Sequence, residues 1–150
     1  MKTRQLFLVC FLLLSFAGCK KEAHFPANMT LYDKPLSVIQ TAISGKWKLE
    51  YGKGGITAKT IQYYDNFYYD FSIRNRVKII NDGIVYADTT ITWRNVTGIY
   101  ADGASTSTMN FHDKSDYSYV YIVDKLINDT LVLHDYAGET VYYYFTKVRN

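Results

Sequence analysis

From residue 46 onward, apolar and polar side chains alternate with a period of two in short segments of the chain. Successive side chains of a β-strand point to opposite faces, so this period predicts strands that each bury one face. The segments are also rich in Tyr, Val, Ile and Thr, which favour strands. We therefore predict a mostly β fold. The apolar positions are Trp47, Leu49 and Tyr51; Phe67, Tyr69, Phe71 and Ile73; Val77 and Ile79; Ile91 and Trp93; Tyr119, Tyr121 and Val123; Leu131 and Leu133; and Val141, Tyr143 and Phe145.

Turn signals separate these segments at Asn81-Asp82-Gly83, Asp102-Gly103, Asn128-Asp129 and Ala137-Gly138-Glu139. Strands joined in this way form an antiparallel meander. About eight strands in roughly 105 residues can bury their apolar faces either as two packed sheets or as a closed up-and-down barrel. Closure removes the exposed strand edges, which matters for a chain whose Tyr-rich strands would otherwise pair with neighbouring molecules.

One short helix is predicted before the strands, because Leu36, Ile39 and Ile43 recur at helical spacing. Asp33 is its candidate N-cap, with Pro35 in its first turn, and Gly45 follows its end.

The amino terminus has the pattern of a signal peptide. Lys2 and Arg4 precede residues 6–17, of which Ser15 is the one polar member. A helix needs roughly 18 to 20 apolar residues to cross a bilayer, so we expect this run to be removed instead of remaining as an anchor.

The run ends in Phe16-Ala17-Gly18-Cys19, which resembles the lipobox of bacterial lipoproteins. The resemblance implies that residues 1–18 are cleaved and that Cys19 becomes the acylated first residue, attached to the membrane by lipid. The mature chain would then have residues 19–34 as a tether and 35–150 as the domain. Cys10 is the other cysteine and lies in the removed part, so no disulfide is expected.

Charge excludes a nucleic-acid partner. The whole chain has 17 basic and 14 acidic side chains, but removal of Lys2 and Arg4 leaves 15 against 14. A nearly neutral domain lacks the positive patch that nucleic-acid binding requires.

Gly45-Lys46-Trp47, a G-x-W after a short helix and at the start of the first long strand, resembles the lipocalin signature. Residues 128–133 and 142–147 are similar to the last hairpin of lipocalin-like lipoproteins from Gram-negative bacteria. The resemblance implies an antiparallel up-and-down barrel of about eight strands whose mouth binds a small apolar or amphipathic molecule. The middle segment 88–118 includes the small polar run 102–108, which the pattern assigns neither to a strand nor to a loop.

The positions expected to face the barrel interior are the candidate ligand-binding residues. They are Trp47, Phe67, Tyr69, Phe71, Trp93, Tyr119, Tyr121 and Tyr143. Because Tyr63-Tyr64 and Tyr68 place further rings on the opposite faces, an alternative is a cell-surface module that binds a glycan or a partner protein through an exposed Tyr-rich face.

The sequence contains no recognisable set of catalytic acids, bases and nucleophiles. His24 lies in the tether, and His112 and His134 each stand alone beside an Asp. No metal-ligand spacing and no cofactor motif is present, and Gly52 to Gly55 lack the frame of a phosphate-binding loop. The sequence therefore predicts a protein without catalytic activity, cofactor or metal.

Two short signals concern the cell envelope. Asp88-Thr89-Thr90 and Asp129-Thr130-Leu131 resemble the acceptor of O-glycosylation in some Gram-negative bacteria, which makes Thr89 and Thr130 candidates for modification. The charged Lys20-Lys21-Glu22 follows the lipobox and favours the outer membrane, without indicating which face.

Overall fold

The computed structural model describes residues 25–55, 60–136 and 140–149. The predicted signal peptide, Cys19, His24 and the turn at 137–139 lie outside the described residues. Within them the chain forms one helix and eleven strands. In chain order these are β1 (Asn28–Thr30), α1 (Leu36–Ala42), β2 (Lys46–Gly54), β3 (Ile61–Tyr63), β4 (Phe67–Asp70), β5 (Arg76–Asn81), β6 (Ile84–Thr90), β7 (Thr92–Val96), β8 (Thr106–His112), β9 (Ser118–Ile127), β10 (Thr130–Asp135) and β11 (Val141–Lys147).

All described strands belong to one curled antiparallel sheet with the order β6-β5-β4-β2-β11-β10-β9-β8-β7. The strands at its two ends, β6 and β7, are consecutive in the chain and are separated by Ile91 alone. β6 and β7 are therefore two parts of one bent strand of the barrel. β3 and β4 both pair with the same side of β2, one after the other along it, and also count as one strand of the barrel. The prediction of an antiparallel up-and-down, lipocalin-like barrel of about eight strands is confirmed, and the alternative of two packed sheets is wrong.

The helix α1 and Trp47 close one end of the barrel, which we call the closed end. Trp47 is 1 % exposed, and its Nε1 donates a hydrogen bond to the carbonyl oxygen of Ile43 at 2.7 Å. Ile39 and Ile43 are buried beside it. The helix begins after Pro35 and has no side-chain cap, so the expected capping by Asp33 is wrong. Among the described helices, none is long and apolar enough to cross a membrane.

The described part of the predicted tether packs on the barrel. β1 pairs with residues 125–127 at the end of β9. β8 pairs with residues 118–122 of β9 and does not reach this end. Leu31 is fully buried, and its N–H donates to the carbonyl oxygen of Asp124 at 2.8 Å. Burial of a leucine side chain contributes roughly 2 kcal/mol to the free energy of folding. The sequence pattern alone did not show that Leu31 is buried. Residues 28–34 therefore belong to the domain.

A β-bulge in β2 reverses which face its residues present. Tyr144 pairs with Tyr51 but Phe145 pairs with Leu49, so Glu50 is the extra residue. The expected inward position of Tyr51 is therefore wrong: its ring stacks on that of Tyr144, outside the barrel. Gly52 faces inward in its place.

The connection between β7 and β8, part of the unplaced segment, folds over the outer face of β8 and β9. The hydroxyl of Tyr100 donates to Asp124 at 3.0 Å, and its ring stacks on that of Tyr32 with centroids 3.7 Å apart. Thr106 Oγ1 donates to the carbonyl oxygen of Tyr32 at 2.8 Å. This cover explains why the small polar residues that begin β8 are buried.

Two of the predicted turns are tight hairpins. Asp82-Gly83 and Asn128-Asp129 each have two residues with positive φ, as a type I′ turn requires. Asp102-Gly103 instead lies within the long connection over β8, where the Gly103 N–H donates to the carbonyl oxygen of Tyr100.

We predict that alanine destabilises the fold far more at Gly54 than at Gly52, two glycines of β2. At Gly54, φ is +135° and a Cβ would lie 2.2 Å from the carbonyl oxygen of Thr140, so Gly54→Ala should lower the free energy of unfolding by at least about 1–3 kcal/mol. At Gly52, φ lies outside the left-handed region, and a Cβ would lie 3.2 Å from the ring of Tyr143. Gly52→Ala should change the free energy by less than about 1 kcal/mol. Urea unfolding measures both, and equal losses would contradict the bulged register.

Candidate functional site

Aromatic rings from four strands and from the loop before β4 form a continuous column inside the barrel. The ring of Tyr69 packs edge-on against Phe145, with centroids 5.0 Å apart, and against Tyr121 at 6.4 Å. Tyr121 in turn contacts Tyr143 at 5.7 Å. We call this set the aromatic column: Tyr64, Phe67, Tyr69, Phe111, Tyr119, Tyr121, Tyr143 and Phe145.

Exposure along the column increases toward the end of the barrel opposite Trp47. Tyr69 and Tyr121 are 3 % and 5 % exposed, and Tyr119 and Tyr143 are half-buried. Tyr117 is 60 % exposed, and its ring packs edge-on against Tyr119 at 4.9 Å. This end therefore presents aromatic surface to solvent, and we call it the mouth: Tyr64, Phe67, Tyr117, Tyr119 and Tyr143.

The tyrosines of the column are neutral hydroxyl groups at physiological pH. Burial raises the pKa of Tyr69, Tyr121 and Tyr143 above its usual range. The hydroxyl oxygens of Tyr69 and Tyr121 lie 3.4 Å apart. Burial and the nearby carboxylate of Asp113 raise the pKa of Tyr119 to about 12. The column therefore offers apolar ring faces with neutral donors and acceptors.

Asp113 positions two rings of the mouth. Its carboxylate accepts hydrogen bonds from the N–H and hydroxyl of Ser115 at 2.8 and 2.7 Å, and from the N–H of Tyr117 at 3.0 Å. It also accepts from the hydroxyl of Tyr119 at 3.2 Å. The bonds from Ser115 contribute most to lowering the pKa of Asp113, so the carboxylate stays ionised and keeps the loop folded.

Lys114 connects the loop after β8 to β6, across the part of the barrel wall where these two strands are not paired. Its N–H donates to the carbonyl oxygen of Tyr86 at 3.2 Å. Its Nζ donates to the carbonyl oxygen of Val85 at 2.7 Å. The two bonds hold the mouth loop against the wall.

The structure separates the eight predicted binding residues into two groups. Five lie in the aromatic column: Phe67, Tyr69, Tyr119, Tyr121 and Tyr143. The other three support the fold farther from the mouth. Trp47 lies in the closed end, Phe71 is 4 % exposed in the core, and Trp93 Nε1 donates to Asn75 Oδ1 at 3.2 Å.

Sequence reasoning missed four further residues of the column and the mouth. Phe145 was assigned to the inner face but not to the site, and Phe111 lies in β8, which was not placed. Met109 and Phe111 alternate with period two and were the signal that could have found this strand. Tyr64 and Tyr117 lie in loops, where the strand period carries no information.

Another aromatic surface lies outside the barrel. The rings of Tyr51 and Tyr144 stack with centroids 4.5 Å apart, and Tyr63, which is 75 % exposed, lies 6.1 Å from Tyr51. We call these three residues the outer tyrosine face. Tyr144 lies on β11 between Tyr143 and Phe145 of the column, whereas Tyr51 and Tyr63 lie on β2 and β3.

The two candidate O-glycosylation sites are both half-buried. Thr89 lies in β6 opposite Val77, which is fully buried, so it shares the inward face. Thr130 is the first residue of β10 and pairs with Ile127 and Thr146.

The two described histidines differ in environment. His112 is exposed, with Nδ1 at 3.5 Å from the carbonyl oxygen of Asp116. His134 is 8 % exposed, its ring stacks on Tyr142 with centroids 4.7 Å apart, and its Nδ1 has no hydrogen-bond partner. Burial lowers the pKa of His134, against the opposing effect of Asp124 and Asp135.

No protein-family model matches the chain, and neither a curated protein nor a solved structure matches it.

We predict that His134 makes the fold less stable in acid. Burial lowers its folded pKa, so the unfolded chain binds more protons as the pH falls below about 6.5, and stability is lost from that pH downward. His134→Phe keeps a ring on Tyr142 and removes the titration. Urea unfolding between about pH 7.5 and pH 5 should show a smaller loss for this variant than for the natural chain. His112→Phe is the control for exposed histidine, and an unchanged loss in His134→Phe would contradict the prediction.

Proposed function

We propose that the protein is a lipid-anchored, lipocalin-like binding protein that holds a small apolar or amphipathic molecule at the mouth of its barrel and has no catalytic activity. The observation that carries this proposal is the graded exposure of the aromatic column. Rings that only stabilise the core would be fully buried. Tyr119 and Tyr143 are instead half-exposed, and Asp113 accepts a hydrogen bond from the Tyr119 hydroxyl.

The chemistry of the mouth narrows the ligand class. Its rings provide flat apolar contacts, and the hydroxyls of Tyr119 and Tyr143 are neutral. Tyr69 and Tyr121, each at most 5 % exposed, fill the barrel below the mouth. The ligand therefore lies across the upper rings and does not extend down to Trp47. An uncharged molecule with an aromatic or polyprenyl-like apolar part, and one or two hydrogen-bonding groups, fits these features.

The anchor belongs to the same proposal. The lipobox resemblance makes Cys19 the acylated residue, and each buried CH₂ of its acyl chains contributes about 0.8 kcal/mol of membrane affinity. We place the protein in the cell envelope, at the outer membrane of a Gram-negative bacterium. There the domain would keep its ligand close to the bilayer surface.

The outer tyrosine face favours a second candidate function, namely binding of a glycan or a partner protein. Stacked Tyr51 and Tyr144 with exposed Tyr63 provide the apolar ring surfaces that sugar rings contact. The two functions use different rings and can be separated by substitution.

We predict that Tyr143→Ala weakens binding of N-phenyl-1-naphthylamine, an uncharged aromatic fluorophore, by roughly tenfold. The change removes about 1.4 kcal/mol of ring contact at the mouth. Fluorescence titration of the purified protein measures the affinity. The matched control is Tyr144→Ala, the next residue of β11, whose ring lies on the outer face; its affinity should stay within about twofold.

Loss of fluorophore binding in Tyr144→Ala but not in Tyr143→Ala would overturn the mouth as the site. Glycan binding that fails in Tyr144→Ala and Tyr63→Ala would then support the outer tyrosine face. If neither variant changes any binding, both candidate functions are wrong.

We predict that Cys19→Ala abolishes acylation. Cells grown with radioactive palmitate should label the natural chain and leave the variant unlabelled, since Cys19 would be the acylated residue. The label is read after immunoprecipitation, with Cys10→Ala as the matched control that should remain labelled. Retention of label by Cys19→Ala would refute the anchor.

A further inference from the structure

A cleft of about 770 Å³ lies at the closed end of the barrel, on the opposite end from the mouth. It lies between the first described residues, 25–27, and the last, 147–149. Trp47, Phe25 and Leu126 are among its lining residues, so part of its wall is apolar. The proposed function uses none of this surface.

Two lysines give the cleft a positive charge. The Nζ of Lys147 lies 5.3 Å from the centroid of the Trp47 ring, and the Nζ of Lys46 lies 4.6 Å from that of Tyr68. Among the described residues neither lysine forms a salt bridge.

The described lining of the cleft has more cations than carboxylates. Lys46, Lys147 and Arg149 line it together with Asp129, which pairs with Arg149. Asp70 lies opposite Lys46 in the sheet but is not a lining residue. The described lining therefore has a net positive charge beside an apolar wall.

The position of the cleft in the chain brings it close to a membrane. Phe25 lines the cleft and is six residues from Cys19. An extended chain spans at most about 3.6 Å per residue, so Cys19 lies within about 22 Å of Phe25. If Cys19 carries the lipid, Phe25 in the wall of the cleft lies within about 22 Å of the lipid-bearing residue at the bilayer surface.

We infer that the closed-end cleft binds the phosphate of an anionic phospholipid in the membrane that anchors the protein. Lys46 and Lys147 contact the phosphate, and Phe25 and Leu126 contact the carbons next to it. This inference rests on the proposed anchor and adds a second attachment, which directs the mouth away from the bilayer. The combination of two cations with an apolar wall fits a phospholipid better than a free anion, which has no apolar part.

The test uses the mature chain, residues 19–150, with Cys19→Ser and made without lipid, so that the anchor contributes nothing. It contains every described residue, and circular dichroism checks that each variant is folded. Co-sedimentation with vesicles of phosphatidylcholine, alone or mixed with phosphatidylglycerol, measures partitioning. We expect binding to the anionic vesicles, weakened by added salt. Lys46→Gln and Lys147→Gln should each reduce it about fivefold, and the double variant roughly 30-fold.

The matched control is Lys53→Gln, the same charge change on β2 near the mouth, which should leave partitioning unchanged. Equal losses in Lys53→Gln and Lys147→Gln would mean attraction by overall charge and would overturn the inference. Saturable binding of inorganic phosphate at the same lysines, without a preference for anionic vesicles, would assign the cleft to a free anion and would also overturn it.

Failure of this inference and failure of the anchor are distinguishable. Palmitate labelling reports on Cys19 alone, whereas the vesicle experiment uses a chain that has no lipid. Labelled Cys19 with no vesicle preference would leave the anchor intact and reject the cleft. Vesicle binding that depends on Lys46 and Lys147 with an unlabelled Cys19 would leave the lipid site and reject the acyl anchor.

Discussion

The pairing of β2 with β11 is the interaction on which the rest of the structure depends. These are the first long strand and the last strand, and their ladder runs from Lys147 beside Trp47 to Val141 beside Gly54. It brings together residues that are about a hundred positions apart, so its loop-closure entropy must be offset by the core that it encloses. Without this ladder the sheet would be an open meander, and its inner rings would face water.

The bulge within the same ladder sets the shape of the candidate site. By displacing Glu50, it directs Tyr51 outward and Gly52 inward, which leaves space for the ring of Tyr143. One extra residue thus places Tyr51 beside Tyr144 on the outer tyrosine face instead of in the column. At the other end of the ladder, Trp47 and Lys147 build the wall of the closed-end cleft.

The sequence predicted those features that local pattern determines, and it failed where tertiary contacts determine the position of a residue. Period two and the Asn-Asp and Asp-Gly turns predicted the meander and five members of the column, because a half-buried strand must alternate. Tyr51 was misplaced because a bulge leaves no mark in the period. The strand β8 was missed because its first residues are polar and are covered by Tyr100 from the connection that precedes it. Leu31 looked like part of a tether because its partner, β9, lies about ninety residues away.

The most direct test of the account is a nuclear Overhauser measurement across the β2–β11 ladder on the mature chain in solution. We predict contacts between the side chains of Leu49 and Phe145, and between the rings of Tyr51 and Tyr144, together with slow amide exchange along both strands. Absence of these contacts, with β2 amides exchanging as fast as those of an exposed sheet edge, would contradict barrel closure and the two sites built on it.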